Sequence, residues 1–209
     1  TGGGRGRVRA IGDTILLATH NAGKRREIAA LLAPLGLTVV SAGDLGLPEP
    51  AETEESFTGN ARIKAHAAAR ASGLAALSDD SGLCVDALGG APGVHTADWA
   101  ETGSGRDFDM AMHRLRAELD DCGAAEPRRA QFRCTLCLAW PDGEDMIFEG
   151  SVPGRIVWPM RGSQGFGFDP VFLPDGGSET FSEMAPARKH AISHRAAAFG
   201  LFLRALEGG

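Results

Sequence analysis

Lysine is scarce in this chain: Lys24, Lys64 and Lys189 are the only three among 21 basic residues, the rest being arginine. Arginine serves surface pairing, whereas lysine supplies a compact, mobile point charge that can press on one phosphate oxygen without bidentate geometry. Each lysine sits inside a dense polar segment, so the scarcity marks three places to inspect; chance and a composition bias are the alternative for any one of them. Positive charge is short overall as well. A net charge of −6 argues against a nucleic-acid coat, because such surfaces run strongly basic. No nucleic acid partner is expected, and any anionic ligand must be met by local positive charge. Long apolar runs are missing too: none reaches the roughly 18 to 20 residues a membrane span needs, and no signal-peptide order opens the chain. No membrane association is expected, and cytoplasmic residence is the default.

Cysteines number four, at 84, 122, 134 and 137. Cys134-x-x-Cys137 has a metal or redox spacing, but Gln131 to Trp140 reads as a strand, where a spacing of three sends the two thiols to opposite faces. Buried free thiols in a reducing compartment are the better reading.

What remains is an ordinary globular composition, 43% hydrophobic and 23% charged over 209 residues. A chain of this size buries roughly 70% of its unfolded surface and needs no disulfide staple. Residues 1–13, opening Thr1-Gly2-Gly3-Gly4-Arg5-Gly6-Arg7, read as a flexible tail or cloning remnant, leaving one domain over 14–209. Thr14 to Ala18 is an apolar strand, and Ile28, Leu31, Leu32 and Leu35 recur at helical spacing after Asn21. Leu37 to Val40 reads as strand and Ser56 to Ser72 as a helix capped by Ser56. Leu74 to Leu77 is a strand expected to end at Ser78-Asp79-Asp80-Ser81-Gly82. A helix is expected over Arg106 to Asp121, burying Met110, Leu115 and Leu119 and stopping at Gly123. Phe132–Trp140 and Met146–Ile156 flank the turn signal Pro141-Asp142-Gly143-Glu144 and should pair as a hairpin. One helix over about His190 to Leu206 closes the chain through Ile192, Ala196, Phe199, Leu203 and Leu206. The pattern is an α/β fold with a mixed sheet.

Five segments carry chemistry. Thr19-His20-Asn21-Ala22-Gly23-Lys24 lies where a strand ends and a helix begins, a place that offers free N–H groups to an anion. It is not a P-loop, since Ala18 stands where the first glycine belongs and Arg25 follows the lysine; Asn21 as a plain helix cap is the alternative. Asn60 and Lys64 share a helix face and could both touch phosphate, or simply face solvent. In Ser78-Asp79-Asp80-Ser81-Gly82 two adjacent carboxylates need a cation, and hard oxygen donors suit Mg²⁺ held jointly with substrate phosphates; an Asx turn is the bland alternative. Gly165-Phe166-Gly167-Phe168-Asp169-Pro170 lets backbone and ring approach a flat ligand, and Lys189 with His194-Arg195 brackets a helix start.

Together with Ala87-Leu88-Gly89-Gly90-Ala91-Pro92-Gly93-Val94 and Ile192-Ser193-His194-Arg195, and in this order, these segments resemble the inosine triphosphate pyrophosphatase family over nearly the whole chain after residue 13. The resemblance implies an elongated mixed sheet flanked by helices, two lobes with an active-site cleft between them, and a homodimer. It implies Mg²⁺-dependent hydrolysis of noncanonical purine nucleoside triphosphates, those of hypoxanthine and xanthine, to monophosphate and pyrophosphate. Carried over by position, Asp80 is the catalytic base and a metal residue, with Asp79 beside it. Thr19, His20, Asn21, Ala22, Gly23, Lys24, Asn60 and Lys64 meet the phosphates, and Ser81 is a substrate contact. Phe166, Gly167, Phe168, Asp169, Lys189, His194 and Arg195 meet the nucleotide and its base. Two positions depart from the family pattern. A metal-binding glutamate is replaced by Ala51, so Glu52 must shift in or another carboxylate must serve. The usual Tyr-Ser-Ala-Arg-Tyr reads His95-Thr96-Ala97-Asp98-Trp99, a charge reversal at Asp98. The rival readings are a pyrophosphatase of modified pyrimidines on a related fold and a nucleotide-binding sensor without catalysis.

Overall fold

The computed structural model describes residues 9–207. Its main sheet has six strands in the order β2-β1-β3-β6-β7-β8: β1 (Thr14–Leu17), β2 (Thr38–Ser41), β3 (Ala75–Val85), β6 (Arg128–Ala139), β7 (Asp145–Ile156) and β8 (Phe172–Pro174). A two-residue pair, β4 (Glu101–Thr102) and β5 (Gly105–Arg106), stands apart. β1 runs parallel to β2 and β3, and every later pairing is antiparallel. The mixed direction follows from two kinds of connection. Crossover helices α1 (Ala22–Leu32) and α2 (Phe57–Ser72) return the chain for parallel strands, while the tight Pro141 to Glu144 turn can only make an antiparallel hairpin. Three further helices are α3 (Phe108–Asp121), α4 (Pro186–Ile192) and α5 (His194–Glu207).

Local chemistry sets the helix starts as the sequence suggests. Asn21, Ser56 and Asp107 each accept a hydrogen bond from the N–H three residues on, at about 3.0 Å, capping α1, α2 and α3. α3 stops before Gly123, which takes φ +66°, a conformation only glycine enters freely.

Three apolar clusters divide the molecule. α1 and α5 cover one face of the sheet through Ile28, Leu32, Phe199 and Phe202 against Leu77, Leu136 and Phe148. α2 covers the other with alanines 61, 65, 68 and 69, whose small size brings the helix close to Leu16 and Ala76. The third cluster lies beyond, where Leu83, Val85, Phe132 and Ile156 meet α3 through Met112, Leu115 and Leu119. β3 therefore has its apolar ends in different lobes, Ala75–Leu77 in one and Leu83–Val85 in the other, with the polar Ser78–Gly82 stretch strung between them.

Four expectations need correction. β3 does not end at Leu77 but runs unbroken through Ser78–Gly82, because β6 pairs with it along its whole course. The final helix is two: Ser193 is extended at φ −71°, ψ 160° and its hydroxyl accepts from Ala196 N at 3.1 Å, so it caps α5 and makes His194 and Arg195 a helix start. Met110 and Ile192 are exposed rather than buried, while Met112, Ala198 and Phe202 fill the core. Of the segment read as a tail, residues 1–8 lie outside the described residues. Residues 10–13 are held: Trp140 Nε1 donates to Ala10 O, Thr38 N donates to Asp13 O, and Ile11 packs on the α1/α5 cluster.

The contact between α5 and β7 is made through a glycine. A Cβ on Gly150 would collide with the backbone of His194 and Ala198. Gly150→Ala is expected to destabilise the fold by about 1–3 kcal/mol, read as a lower urea midpoint; an unchanged midpoint would mean that α5 is free to slide on the sheet.

Candidate active site

The site begins as a notch in the sheet. β1 pairs with β3 only as far as Leu77, where Ala18 N donates to Leu77 O. The next groups on that edge of β3 to find partners are Leu83 N, which donates to Thr96 Oγ1, and Val85 N, which donates to Ala91 O. Between these two anchorages the edge carrying Ser78–Gly82 opens into a cleft of 440 Å³. Alternation along the strand sends Asp79 and Ser81 to the α1/α5 face and Ser78, Asp80 and Gly82 to the α2 face. The adjacent carboxylates thus enter two different environments.

Asp79 is fully buried and every lone pair is engaged. Oδ1 takes Lys24 Nζ at 2.8 Å and Ser81 Oγ at 2.8 Å, while Oδ2 takes Arg195 Nε at 2.8 Å and Cys134 Sγ at 3.1 Å. Burial pushes this carboxyl up, but Arg195 and Lys24 outweigh it and hold it well below the usual carboxylate range. For its expected metal role Asp79 offers no open oxygen, since protein donors engage both. Arg195, itself 1% exposed, also bonds Ser81 Oγ at 2.9 Å and Glu27 Oε2. Glu27 Oε1 accepts from Lys189 Nζ at 2.8 Å, which in turn donates to Asp169 Oδ2 at 2.6 Å. Asp169 Oδ2 also receives Phe166 N at 2.9 Å, fixing the loop that carries the aromatic residues. Lys24, Asp79, Arg195, Glu27, Lys189 and Asp169 form one chain of alternating charge through α1, β3, α5, α4 and the 165–169 loop.

On the other face Lys64 Nζ bridges Asp80 Oδ1 at 3.0 Å and Glu52 Oε1. Asp80 Oδ2 is buried without a hydrogen-bond partner. Burial raises the Asp80 carboxyl above its ordinary value despite Lys64 and Lys24. Lys64 keeps its proton, because Asp80 and Glu52 outweigh its own burial.

The three lysines do converge on one cleft, together with Thr19, Asn21, Asn60, Ser81, Phe166, Gly167, Phe168, Asp169, His194 and Arg195. Several roles differ from expectation. Asn21 spends its amide oxygen on the helix cap, and Thr19 Oγ1 accepts from Asn21 N at 3.3 Å. Ala22 and Gly23 do not line the cleft; a Cβ at Gly23 would lie 2.6 Å from the Phe166 ring, so glycine there lets that ring seat. His20 lines a separate apolar cavity with Leu47 and Pro48. Asn60 accepts from Glu54 N and donates to Glu54 O, at 3.0 and 3.1 Å, and so holds the 49–54 strap that carries Glu52 rather than being free for phosphate. Phe168 lines the cleft but sits mostly in the core, edge-on to Phe108 at 5.7 Å. His194 stacks on Phe132 at 4.8 Å, and burial together with Arg195 and Lys189 keeps the imidazole neutral.

Sequence reasoning missed Glu27, whose only signal is its place one helical turn after Lys24. It also missed Phe132, which the pairing of β6 with β3 sets opposite Leu83. Charged groups lining the cleft comprise six carboxylates (Glu49, Glu52, Glu54, Asp80, Asp98, Asp169) and five cations (Lys24, Lys64, Arg106, Lys189, Arg195). Such a wall does not attract a polyanion unaided.

Residues 15–205 match the Ham1 family model. A dITP/XTP pyrophosphatase of Ruegeria pomeroyi is 62% identical over 198 residues, 95% of this chain and 97% of that protein. A dITP/XTP pyrophosphatase of Brucella melitensis is 56% identical, with 90% of each chain covered. Among solved structures, a HAM1 protein from Coxiella burnetii superposes with a TM-score of 0.85 at 33% identity, covering 94% of this chain and 99% of that one. A Mycobacterium abscessus nucleoside-triphosphatase / dITP/XTP pyrophosphatase gives 0.71 at 39% identity, covering 91% and 98%.

Asp79 and Asp80 should differ in stability as they differ in surroundings. Asp79→Asn strands Arg195 and Lys24 and is expected to cost about 3–5 kcal/mol; Asp80→Asn in metal-free buffer removes a carboxylate that burial already disfavours and should cost nothing or stabilise. Urea unfolding of both variants checks the contrast. The folded-state pKa values of Asp79 and Glu27 are lowered, so their contribution is present above the unfolded values near pH 4 and is lost as pH falls through the folded ones. Acid unfolding should therefore set in below about pH 4, and Asp79→Asn should flatten that limb; an unchanged acid limb would contradict the assignment.

Proposed function

This chain belongs to the Ham1 family, and from that membership and the geometry of its cleft we infer that it is a pyrophosphatase of noncanonical purine nucleoside triphosphates such as dITP and XTP. The observation that carries the assignment of Asp80 is its unpartnered buried oxygen beside Lys64, set against the fully engaged Asp79 next to it. Pairs of titratable groups with pKa values driven apart divide structural from catalytic duty. Asp80 Oδ2 is the group free to orient a water and take its proton as the water oxygen attacks the α-phosphorus. The bond from that phosphorus to the bridging oxygen breaks, and pyrophosphate leaves with the electron pair. Lys24 and Lys64 hold positive charge where negative charge gathers on the phosphate oxygens, the effect on which phosphoryl transfer chiefly depends.

The residues present fit a divalent magnesium ion. Asp80 and Glu52 offer hard oxygen donors on one lysine, Asp80 Oδ2 lacks a partner, and the cleft wall carries more carboxylates than cations. Glu52 is thus the carboxylate for the place that Ala51 leaves empty. Among the described residues no three side chains close a metal shell by themselves, which suits an ion that completes its shell with water and substrate phosphates. Such an ion supplies charge neutralisation along the phosphate chain.

Base selection falls to the α1/α5 face. The neutral ring of His194 and the rings of Phe132 and Phe166 suit a flat base. Lys189 spends two protons on Glu27 and Asp169, and Arg195 spends its three bonds on Asp79, Glu27 and Ser81, so each retains N–H donors. Spare donors without spare acceptors suit a 6-oxo edge and reject a 6-amino group. The dITP/XTP pyrophosphatases among its relatives favour a purine substrate over a modified pyrimidine, and the family resemblance adds a homodimer, which sedimentation would show as twice the chain mass. No helix among the described residues is long and apolar enough to cross a membrane.

Pyrophosphate release from dITP, XTP, dATP, dGTP and dUTP, with and without Mg²⁺, tests the whole reading. The kcat/KM for dITP should exceed that for dATP by about 10²-fold or more, and activity should vanish with chelator; equal values for the two nucleotides would overturn the base assignment. Asp80→Asn should lower kcat by about 10²–10⁴-fold while dITP binding, followed by calorimetry, survives.

A further inference from the structure

The cleft wall formed by residues 93–98 has no role in the chemistry described so far. It packs on the α2 face of β3, because Gly82 lacks a Cβ that would collide with Gly93 O and Thr96 Oγ1. Thr96 is doubly fixed, its hydroxyl donating to Gly93 O at 2.6 Å and accepting from Leu83 N at 3.0 Å. His95 N donates to Pro92 O at 2.9 Å, so the turn holding His95 is pinned at both ends. On this wall His95 Nδ1 meets Asp98 Oδ2 at 2.7 Å, and both side chains line the same cleft as Asp80, Lys64 and Glu52. Binding of Nδ1 by the carboxylate fixes the ring and leaves Nε2 for the cleft.

Position along the substrate follows from the two faces of β3. The aromatic rings and His194 lie on the Asp79 side, and Asp80, on the opposite side, addresses the α-phosphorus. The β- and γ-phosphates must then extend past Asp80, between the Thr19–Lys24 loop, Lys64 and the 93–98 wall. Cations there are already committed: Lys24 to Asp79, Lys64 to Asp80 and Glu52, and Arg106 to Glu101 at 2.8 Å. The strap opposite adds Glu49, Glu52 and Glu54. His95 is the remaining basic side chain on this part of the wall: Asp98 engages its Nδ1, and its Nε2 is not committed to any carboxylate.

We propose that the His95–Asp98 pair recognises the terminal phosphate of the substrate, His95 Nε2 donating to it while Asp98 holds the ring. The proposal rests on the pyrophosphatase reading for the direction of the phosphate chain. It assigns a contact to the segment His95-Thr96-Ala97-Asp98, which stands where the resembled family usually has Tyr-Ser-Ala-Arg.

Two measurements on His95→Asn and Asp98→Asn test it. The first compares dITP with dIDP, which lacks the terminal phosphate. His95→Asn should lower kcat/KM for dITP by about 10- to 100-fold, the loss of one charge-assisted hydrogen bond, and leave dIDP within about twofold; Asp98→Asn should show the same selectivity with a smaller loss. Equal losses on both substrates, or none on either, overturn the proposal. The second is calorimetry with inorganic pyrophosphate and with dIMP, each with Mg²⁺. The variant should bind pyrophosphate about tenfold more weakly and dIMP normally, and unchanged pyrophosphate binding overturns the proposal. Binding is read without turnover, so a wild-type protein that fails to hydrolyse dITP refutes the pyrophosphatase reading while this contact is still decided. Both side chains are about two-thirds exposed, so the variants are expected to fold with unchanged melting temperature.

Discussion

The ion pair between Asp79 and Arg195 is the contact on which the rest of the site depends. Both groups are buried, and an isolated charge at either place would be costly enough to unfold the region or to lose its proton. The solution is completeness. Asp79 receives four donors and Arg195 reaches three acceptors, so the charges are solvated by protein rather than by water. Each partner then hands on a constraint: Lys24 fixes the start of α1, Glu27 fixes Lys189, and Asp169 fixes the loop that seats Phe166. Helices from both ends of the chain are thereby placed against the middle of β3 by electrostatics where there is no apolar surface to do it.

Strand alternation turns that anchorage into an electrostatic asymmetry. Chemically identical neighbours, Asp79 and Asp80, point to opposite sheet faces because side chains on a strand repeat every two residues. One face supplies a guanidinium, an ammonium, a hydroxyl and a thiol; the other supplies a single lysine shared with Glu52. The first carboxylate is held ionised and immobile, the second is raised and keeps one oxygen unpartnered. A one-residue shift in register would exchange their surroundings, so the pairing of β3 with β6 across ten residues, from Ala76 to Val85, maintains that asymmetry.

What could be read from the sequence was whatever is encoded locally. Asn21, Ser56 and Asp107 act as helix caps within three residues of themselves, and Pro141-Asp142-Gly143-Glu144 makes its hairpin without outside help. Opposite faces for Cys134 and Cys137 followed from spacing alone, and each thiol does sit in a different cluster. The segments bearing the three lysines were recognisable, and they meet in one cleft. What failed was whatever depends on distant partners. Ser78-Asp79-Asp80-Ser81-Gly82 reads as the end of a strand because nothing nearby shows that α1, α2 and α5 will satisfy its polar groups in the interior. Glu27 gives no local sign of its role, because that depends on α5 and α4 bringing Arg195 and Lys189 to it. The break at Ser193 is hidden because apolar spacing runs through it, and only the cap to Ala196 and the stacking of His194 on Phe132 reveal why the helix must restart there.

The balance of charge in the cleft follows from these same requirements. A wall of free lysines would attract nucleotides of every kind and would be hard to fold, since unpaired buried cations are destabilising. Pairing every lysine with a carboxylate makes the protein stable but leaves the wall without a surplus of positive charge, so substrate phosphate must arrive with its own cation or compete for the lysines. Lys64 is suited to that competition, because Glu52 sits on a strap held through Asn60 and the 35%-exposed Glu52 side chain can let go. Lys189 and Arg195 are not, since their partners are buried and shared. Lys64 is thus the adjustable cation of the cleft, whereas Lys189 and Arg195 are permanently in place. A site built this way selects its base with rigid parts and admits its phosphates with adjustable ones.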